Sequence, residues 1–276
     1  LNSHLMLSQK IGLKNQINYL FQDLIVMNLS LVKFLNINEV MFLKKKVIAI
    51  IPAKHNSNEL PRKNYLKLKN KSLFEIAIIS ALKSSFVDEV FVSSDSDIIL
   101  KQSEKNGANI IKRSKNLCLK KSTANQVIND TINKINTFHG YKKKDFFVVY
   151  LQPTSPFRNH LHINRMFKLL KKNKLKSAIS VKKNLSLIYK NVKIKNKIIY
   201  PIFKKNFVNC NRQDIPSTYV TNGAIYIFLA SNFMKKKQIP IFKSLAFEMS
   251  QKSSIDIDNL TDYKFAIKIS KDYLIY

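Results

Sequence analysis

Residues 47–64, VIAIIPAKHNSNELPRKN, join an apolar run to a polar, cationic loop. The run from Val47 to Pro52 predicts a strand that is buried on both faces of a parallel sheet. Open α/β sheets bind phosphates at the carboxyl ends of their strands, where backbone N–H groups and lysines surround the anion. Lys54 and Lys63 lie in such a position. The stretch therefore favours a phosphate site, although the loop lacks the glycines of a P-loop. An ordinary solvated loop is the alternative.

Strand-like and helix-like segments alternate after residue 46, which is the pattern of a parallel sheet with right-handed crossovers. Ser72 and Glu75 have the spacing of a helical capping box. The fold class predicted is α/β, with three layers and a mostly parallel sheet. The predicted strands are 47–52, 89–94, 108–112, 145–151 and 176–182, and the predicted helices are 72–84, 96–106, 124–137, 159–173 and 259–271.

The domain organisation predicted is one domain with an N-terminal extension. Residues 1–42 show no clean helical or strand period and lack the layout of a signal peptide, so we expect them to lie outside the fold, with Met41 as a natural start. Polar residues interrupt the most apolar stretch, 19–37, which makes it a poor membrane span. We expect residues 43–276 to form the domain, with an insertion of short strands at about 183–217.

Charge and cysteine content narrow the class of protein. The formal net charge is +31, yet the lysines are spread through every segment, so we expect no nucleic-acid partner. The chain contains 43 lysines but only five arginines. Because lysine cannot replace the planar guanidinium in bidentate contacts, each arginine is a candidate position where that group is needed. Two cysteines give neither a disulfide framework nor a zinc pattern, which indicates a reducing, cytoplasmic compartment.

Two aspartates near the carboxyl terminus form a candidate metal site. Asp256 and Asp258 alternate along what reads as a short strand, so both side chains are expected on one face. Carboxylate oxygens are the ligands that a hard cation such as Mg²⁺ prefers, together with water and phosphate. A solvated turn or a helix cap is the alternative interpretation of this pair.

Four segments, in chain order, closely resemble the acylneuraminate cytidylyltransferases: IPAKHNSNELPRKN, LQPTSPFR, NGAIYI and SIDIDNLTD. The resemblance extends from about residue 46 to 271. It implies a fold of the nucleotide-diphospho-sugar transferase type with a small dimerisation lobe, and hence a homodimer. It also implies a reaction in which CTP and a nine-carbon sugar acid give a CMP-sugar and diphosphate, with Mg²⁺ or Mn²⁺ as cofactor.

The same resemblance implies roles for individual residues. The implied catalytic residues are Lys54, Lys63, Asp256 and Asp258, of which the two aspartates also hold the metal. Further nucleotide contacts are implied at Ala53, Ser57, Asn64, Asp95 and Arg113. Sugar contacts are implied at Gln152, Arg212, Asn222 and Tyr226, where the arginine suits a substrate carboxylate.

Departures from the family pattern leave other interpretations open. Lys54 replaces an arginine, Asn58-Glu59 replaces Lys-Gly, and Lys120-Lys121 stands where the family frames the cytosine. A catalytically inactive basic relative is therefore one alternative. Another is a synthetase for legionaminic acid, pseudaminic acid or the eight-carbon Kdo, although LQPTSP and NGA favour nine-carbon acids over Kdo.

Overall fold

The computed structural model describes residues 45–57, 59–119, 121–141, 145–184 and 187–271. The predicted N-terminal extension, residues 1–42, and the predicted start at Met41 lie outside the described residues. From Lys46 onward, the described residues belong to one compact unit.

The elements alternate as predicted, and the five strands predicted between residues 47 and 182 and the five predicted helices are each confirmed within three residues at either end. In chain order, they are β1 (Val47–Pro52), β2 (Lys67–Leu68), β3 (Lys71–Ser72), α1 (Leu73–Leu82), β4 (Glu89–Ser94), α2 (Asp97–Lys105), β5 (Asn109–Lys112), α3 (Ala124–Phe138), β6 (Phe147–Tyr150), α4 (His160–Lys172), β7 (Ser177–Asn184), β8 (Val192–Lys195), β9 (Ile198–Pro201), α5 (Asn206–Asn209), β10 (Thr218–Leu229), α6 (Ala230–Lys236), β11 (Leu245–Glu248) and α7 (Leu260–Ser270). Among the described residues, no helix is both long and apolar enough to cross a bilayer.

A seven-stranded sheet with the order β11-β7-β10-β6-β1-β4-β5 forms the centre of the fold. β1 lies between β4 and β6 and is parallel to both. β5 and β11 continue the parallel pairing at the two edges, whereas β10 runs antiparallel to β6 and β7. The prediction of a mostly parallel α/β sheet is therefore confirmed.

Apolar side chains bury β1 on both faces, as the uninterrupted run predicts. Ile48 and Ile50 are fully buried and pack with Ile128, Ile132 and Ile135, which recur along one face of α3. Each such isoleucine stabilises the fold by about 1.5–3 kcal/mol relative to an exposed position. The sheet thus holds the carboxyl end of β1 rigidly beside those of its neighbours.

Helix α1 begins at the predicted capping box. The Ser72 backbone N–H donates to Glu75 Oε2 over 2.8 Å, and the Ser72 hydroxyl donates to the same oxygen over 2.6 Å. These hydrogen bonds outweigh the burial of the carboxyl group, so the pKa of Glu75 lies below its ordinary value. The box fixes where the chain turns from the short β2–β3 hairpin into the helix.

Residues 187–217 form a small lobe of short elements, in agreement with the insertion of short strands predicted at about 183–217. β8 and β9 pair as an antiparallel hairpin that is a separate two-stranded sheet. Several of its apolar side chains are exposed, including Ile194, of which 72% is accessible, and Ile199, of which 63% is accessible. The role of this lobe in dimerisation remains a prediction.

One local prediction is wrong. Residues 255–258 form no strand; they are an extended connection between a turn and α7. The Ile257 N–H donates to the Thr154 carbonyl over 2.9 Å, and the Ile257 side chain is fully buried. This anchoring, rather than strand pairing, leaves Asp256 and Asp258 to point away from the core.

Candidate active site

A cavity of about 600 Å³ opens at the carboxyl ends of β1, β5 and β6. This is the edge at which parallel α/β sheets bind ligands. Its charged lining combines three cationic and three acidic side chains, namely Lys54, Lys63, Arg113, Glu59, Asp256 and Asp258. Its remaining lining is formed by Pro52, Ser57, Asn64, Leu117, Leu119, Ser122, Thr123, Ala124, Val127, Tyr150, Gln152, Pro153 and Thr154.

The loop that follows β1 supplies the cationic side of this cavity. Lys54, Ser57, Lys63 and Asn64 all line it, as predicted for nucleotide contacts. The Asn64 amide donates to the Lys54 carbonyl over 2.8 Å and so joins the two ends of the loop. Arg62 has a φ of 53°, which lets the chain reverse without a glycine before the 3₁₀ turn Lys63–Tyr65.

Lys63 connects the loop to the acidic side of the cavity. Its side chain is largely buried, and its ammonium group lies 2.9 Å from Asp258 Oδ1, whose own side chain is 56% exposed. A phosphate in the cavity would therefore meet a lysine that is already oriented by a carboxylate. That arrangement limits the reorganisation needed when an anion binds.

Asp256 has a carboxylate oxygen that suits a cation. Its Oδ1 atom is buried and has no hydrogen-bond partner. Burial, with a further contribution from the carboxylates of Asp258 and Asp262, raises the pKa of Asp256 above its ordinary value. Two carboxylates facing one polar cavity form a hard-oxygen donor pair, which fits Mg²⁺ or Mn²⁺ better than a soft metal. Among the described residues, no third His, Cys, Asp or Glu joins this pair in a metal-binding cluster.

Arg113 lies at the end of β5, where the scarcity of arginine made it a candidate. It is buried, with 4% exposed, and donates from Nε to Ser93 Oγ over 3.1 Å and from an η nitrogen to the Ser93 carbonyl over 2.6 Å. Both acceptors are neutral atoms of Ser93, and Arg113 also lines the cavity. Leu117, Leu119 and Val127 line the cavity beside it and offer an apolar surface for a planar base.

Gln152 lines the cavity just after β6. A hydrogen bond fixes its backbone, and a glycine leaves room for its side chain. The fully buried Arg158 donates to the Gln152 carbonyl over 3.0 Å, and burial lowers the pKa of this arginine to about 9. On the other side lies Gly223, with a φ of 74°. A Cβ at this glycine would stand 2.7 Å from Gln152 Oε1 and 3.7 Å from Asp256 Oδ2.

Gly223→Ala is therefore expected to lower catalytic efficiency by about 10-fold or more, since small displacements of positioning groups have effects of this size. The left-handed backbone and the contact with Gln152 both oppose a methyl group at this position. Steady-state kinetics would measure the effect, with Gly140→Ala as control because its Cβ meets no atom within 4 Å at a φ of 72°. Equal activity of the two variants would refute the positioning role of Gly223.

Three residues that were predicted to contact the nucleotide or the sugar do not line the cavity. They form hydrogen bonds with other groups of the protein instead. Ala53 is fully buried, and its N–H donates to the Ser93 carbonyl over 2.9 Å. Asp95 Oδ1 accepts from the His55 N–H over 2.8 Å. Asn222 is buried, with its side chain bonded to Ser180 Oγ over 2.6 Å and to Ser254 Oγ over 2.8 Å. Direct substrate contacts at these positions remain predictions.

The two remaining sugar-contact predictions lie apart from the cavity lining. Tyr226 is half-buried on β10 and packs against Tyr150, with ring centroids 6.1 Å apart. Burial raises the pKa of the Tyr226 hydroxyl. Arg212 lines a separate cavity of about 350 Å³ in the lobe, together with Lys183 and Tyr189. The described residues of a single chain therefore do not bring Arg212 to the main cavity.

Sequence reasoning missed the apolar part of the lining. Leu117 lies within the 3₁₀ turn Lys115–Cys118, Leu119 directly follows this turn, and Val127 lies one turn into α3. Nothing in their spacing separates them from core residues. The signal that was available is the N-cap of α3: Thr123 Oγ1 accepts from the Gln126 N–H over 3.3 Å. This cap places the beginning of the helix at the cavity wall.

Comparison with known proteins agrees with this geometry. The family model described as "Cytidylyltransferase" matches residues 48–275. N-acylneuraminate cytidylyltransferase from Escherichia coli O18:K1:H7 is 30% identical over 238 residues, which are 83% of this chain and 53% of that protein. CMP-N,N'-diacetyllegionaminic acid synthase from Legionella pneumophila is 30% identical over 236 residues, which are 81% of this chain and 96% of that protein.

Further relatives and solved structures extend the match. Pseudaminic acid cytidylyltransferase from Campylobacter jejuni is 26% identical over 223 residues, which are 80% of this chain and 94% of that protein. A solved CMP:2-keto-3-deoxy-manno-octonic acid synthetase complexed with CTP has a TM-score of 0.60 at 15% identity, over 82% of this chain and 99% of its own. At this identity, the structural likeness shows the fold alone.

Coverage differs among the relatives. The chain spans about half the length of the N-acylneuraminate cytidylyltransferases it matches from Escherichia coli and Streptococcus agalactiae. By contrast, it spans nearly all of the legionaminic and pseudaminic relatives. Because the family model covers more than four-fifths of the chain and the site lies within the matched residues, this chain belongs to the cytidylyltransferase family.

Proposed function

We propose that this protein transfers the CMP group of CTP to a nonulosonic acid of the sialic acid type and releases diphosphate. The observation that carries this proposal is the meeting of Lys63 with Asp256 and Asp258 in one cavity at the carboxyl edge of the sheet. Phosphoryl-type transfer depends mainly on positioning and on charge stabilisation, which such a set of side chains supplies.

The chemistry assigned to the chain follows from the cavity. The anomeric hydroxyl of the sugar acid attacks the α-phosphorus of CTP and releases its proton to water, the bond from that phosphorus to the bridging oxygen breaks, and diphosphate leaves. Lys54 and Lys63 stabilise the negative charge on the phosphate oxygens, while Arg113 adds a fixed positive charge at the wall. The apolar surface of Leu117, Leu119 and Val127 takes the cytosine ring.

We assign Asp256 and Asp258 as the residues that would hold the divalent cation, Mg²⁺ or Mn²⁺. The unpartnered Oδ1 of Asp256 and the raised pKa of this carboxyl support that assignment, since a cation would relieve both. When bound, such a cation polarises the phosphate oxygens. Asp258 also orients Lys63, whose ammonium group lies 2.9 Å from its Oδ1 atom.

A homodimer is part of the proposal. The exposed apolar side chains of the β8–β9 hairpin supply a surface that a second copy would cover. Arg212 lies in the lobe rather than in the main cavity, which supports a role for it in the sugar site of the neighbouring subunit.

Free thiols at Cys118 and Cys210 agree with the proposed cytoplasmic location.

Mixing two inactive variants tests this sharing of residues. If Arg212→Ala and Lys63→Ala proteins exchange subunits, half of the dimers are mixed and each has one intact site, so about a quarter of the wild-type activity is expected to return. Each inactive variant taken through the same exchange procedure alone is the control and should remain inactive. No recovery in mixtures shown to contain mixed dimers would place Arg212 outside the neighbouring site.

A substrate panel tests the function and separates its alternatives. Diphosphate release from CTP would be measured with N-acetylneuraminic, legionaminic and pseudaminic acids and with Kdo. We expect release with at least one nine-carbon acid and much less with Kdo. The near-complete coverage of the legionaminic and pseudaminic relatives makes those two acids the first to try. Release with none of the four would support an inactive relative instead.

A further inference from the structure

The loop after β1, which the proposed function assigns to phosphate binding, has no glycine between Ala53 and Asn64, so something other than glycine must set its shape. Its second half has backbone hydrogen bonds, such as that from the Tyr65 N–H to the Arg62 carbonyl over 2.9 Å. Its first half, residues 54–57, is tied down by side chains. The Asn64 amide reaches the Lys54 carbonyl, and Asp95 accepts the His55 N–H.

A chain of side-chain hydrogen bonds connects the two halves of the loop to the residue that caps α2. The His55 Nδ1 atom lies 3.0 Å from the Tyr65 hydroxyl, and that hydroxyl lies 2.7 Å from Ser96 Oγ. Ser96 is buried and caps α2 by accepting the Ile99 N–H over 3.4 Å. The first half of the loop is thereby linked through its second half to the rigid carboxyl end of β4.

Ring packing holds His55 and Tyr65 in place. The His55 and Tyr65 rings meet edge to face, with centroids 5.6 Å apart, and Tyr65 packs in the same way on the fully buried Phe74 at 6.3 Å. Tyr65 is therefore fixed by the core on one side and bonded to His55 on the other. His55, Tyr65 and Ser96 do not line the cavity, so we expect them to act on the loop and not directly on the ligand.

We propose that His55, Tyr65 and Ser96 form a side-chain clasp that holds the loop in its phosphate-binding shape, and that His55 and Tyr65 are positioning residues for CTP. The clasp replaces the backbone constraints that glycines supply in other phosphate loops. It sets the direction of Lys54, which precedes His55, and of Lys63, which precedes Tyr65 by two residues. This inference rests on the proposed function for the identity of the nucleotide.

Tyr65→Phe tests the clasp because it removes only the hydroxyl and keeps the ring against Phe74. Native-state trypsin cleavage at the Lys54–His55 bond, followed by mass spectrometry, reports the opening of the loop. We expect cleavage to be about 3- to 10-fold faster, the factor expected for loss of one or two net hydrogen bonds. The KM for CTP should rise by a similar factor, with kcat and the KM for the sugar acid changed less than about twofold.

The matched control is Tyr141→Phe, which removes a hydroxyl bonded to Glu89 at the amino end of β4, the end opposite the cavity. We expect no change in either measurement for that variant. His55→Ala should raise the KM for CTP as Tyr65→Phe does, and the double variant should add little, because both break one clasp. His55→Gln, which keeps a hydrogen-bonding group, should recover part of the loss.

Unchanged trypsin cleavage in Tyr65→Phe would refute the clasp. Faster cleavage with an unchanged KM for CTP would refute its positioning role. Independent, multiplicative effects of the His55 and Tyr65 substitutions would also contradict a shared clasp. A wild-type protein that does not turn over CTP would refute the proposed function alone, and the trypsin comparison would still decide whether the clasp holds the loop.

Discussion

Asp256→Asn is expected to lower kcat by about 100-fold or more, because it removes a charged oxygen from the proposed cation site. Asparagine keeps the size of the side chain and the oxygen that faces Thr154, so the core around Ile257 should be unchanged. The substitution also removes a carboxylate whose pKa is raised by burial. We therefore expect a melting temperature equal to or above that of the wild type.

A second measurement separates loss of the cation from loss of the fold. Binding of Mn²⁺ in the presence of CTP, followed by electron paramagnetic resonance, should be weakened in Asp256→Asn and in Asp258→Asn. Asp130→Asn, which removes a carboxylate paired with Lys134 on α3, is the control and should bind as the wild type does. Full activity and full Mn²⁺ binding in both site variants would move the cation elsewhere.

Lys63→Ala is expected to lower kcat/KM by about 30- to 1,000-fold, which corresponds to about 2–4 kcal/mol for a preorganised charge at a transition state. Lys63 is largely buried, and Asp258 already orients its ammonium group. Stability should fall little, because Asp258 is left half-exposed and remains solvated. The measurement is steady-state turnover with CTP and the preferred acid, beside a thermal melt.

Lys101→Ala is the matched control, since this lysine is exposed on α2 and lies outside the cavity lining. Its turnover should equal that of the wild type. Lys54 provides a comparison within the site: Lys54→Arg should be tolerated if only positive charge is required, whereas Lys54→Ala should lose activity. A Lys63→Ala enzyme with near-normal kcat/KM would remove Lys63 from the catalytic set.

Several features of the fold and site were predictable because they depend on local chemistry. The apolar run of β1 indicates a fully buried strand, and residues that leave such a strand must lie at its carboxyl end. The scarcity of arginine made all five arginines candidates, and two of them are buried: Arg113 at the cavity wall and Arg158, which donates to the Gln152 carbonyl. At these two buried positions the planar guanidinium supplies several donors, which lysine cannot do.

Other features depend on contacts between distant segments, which spacing does not encode. Asp95 and Asn222 read as ligand contacts, yet their side chains bond to His55 and to Ser180 and Ser254. The close approach of Gly223 to Gln152 arises where β10 leaves its regular pairing with β7, between Thr221 and Tyr226. An irregularity of this kind depends on the register of three strands.

The most direct test of the account is a ³¹P nuclear magnetic resonance time course with CTP, Mg²⁺ and the preferred nonulosonic acid. We expect the three CTP signals to decay together while the phosphodiester and diphosphate form in equal molar amounts, so that the phosphodiester and diphosphate signals grow in a 1:2 ratio. Lys63→Ala should slow both signals by the same factor. Release of CMP or inorganic phosphate without a phosphodiester product, or no change with any nine-carbon acid, would contradict it.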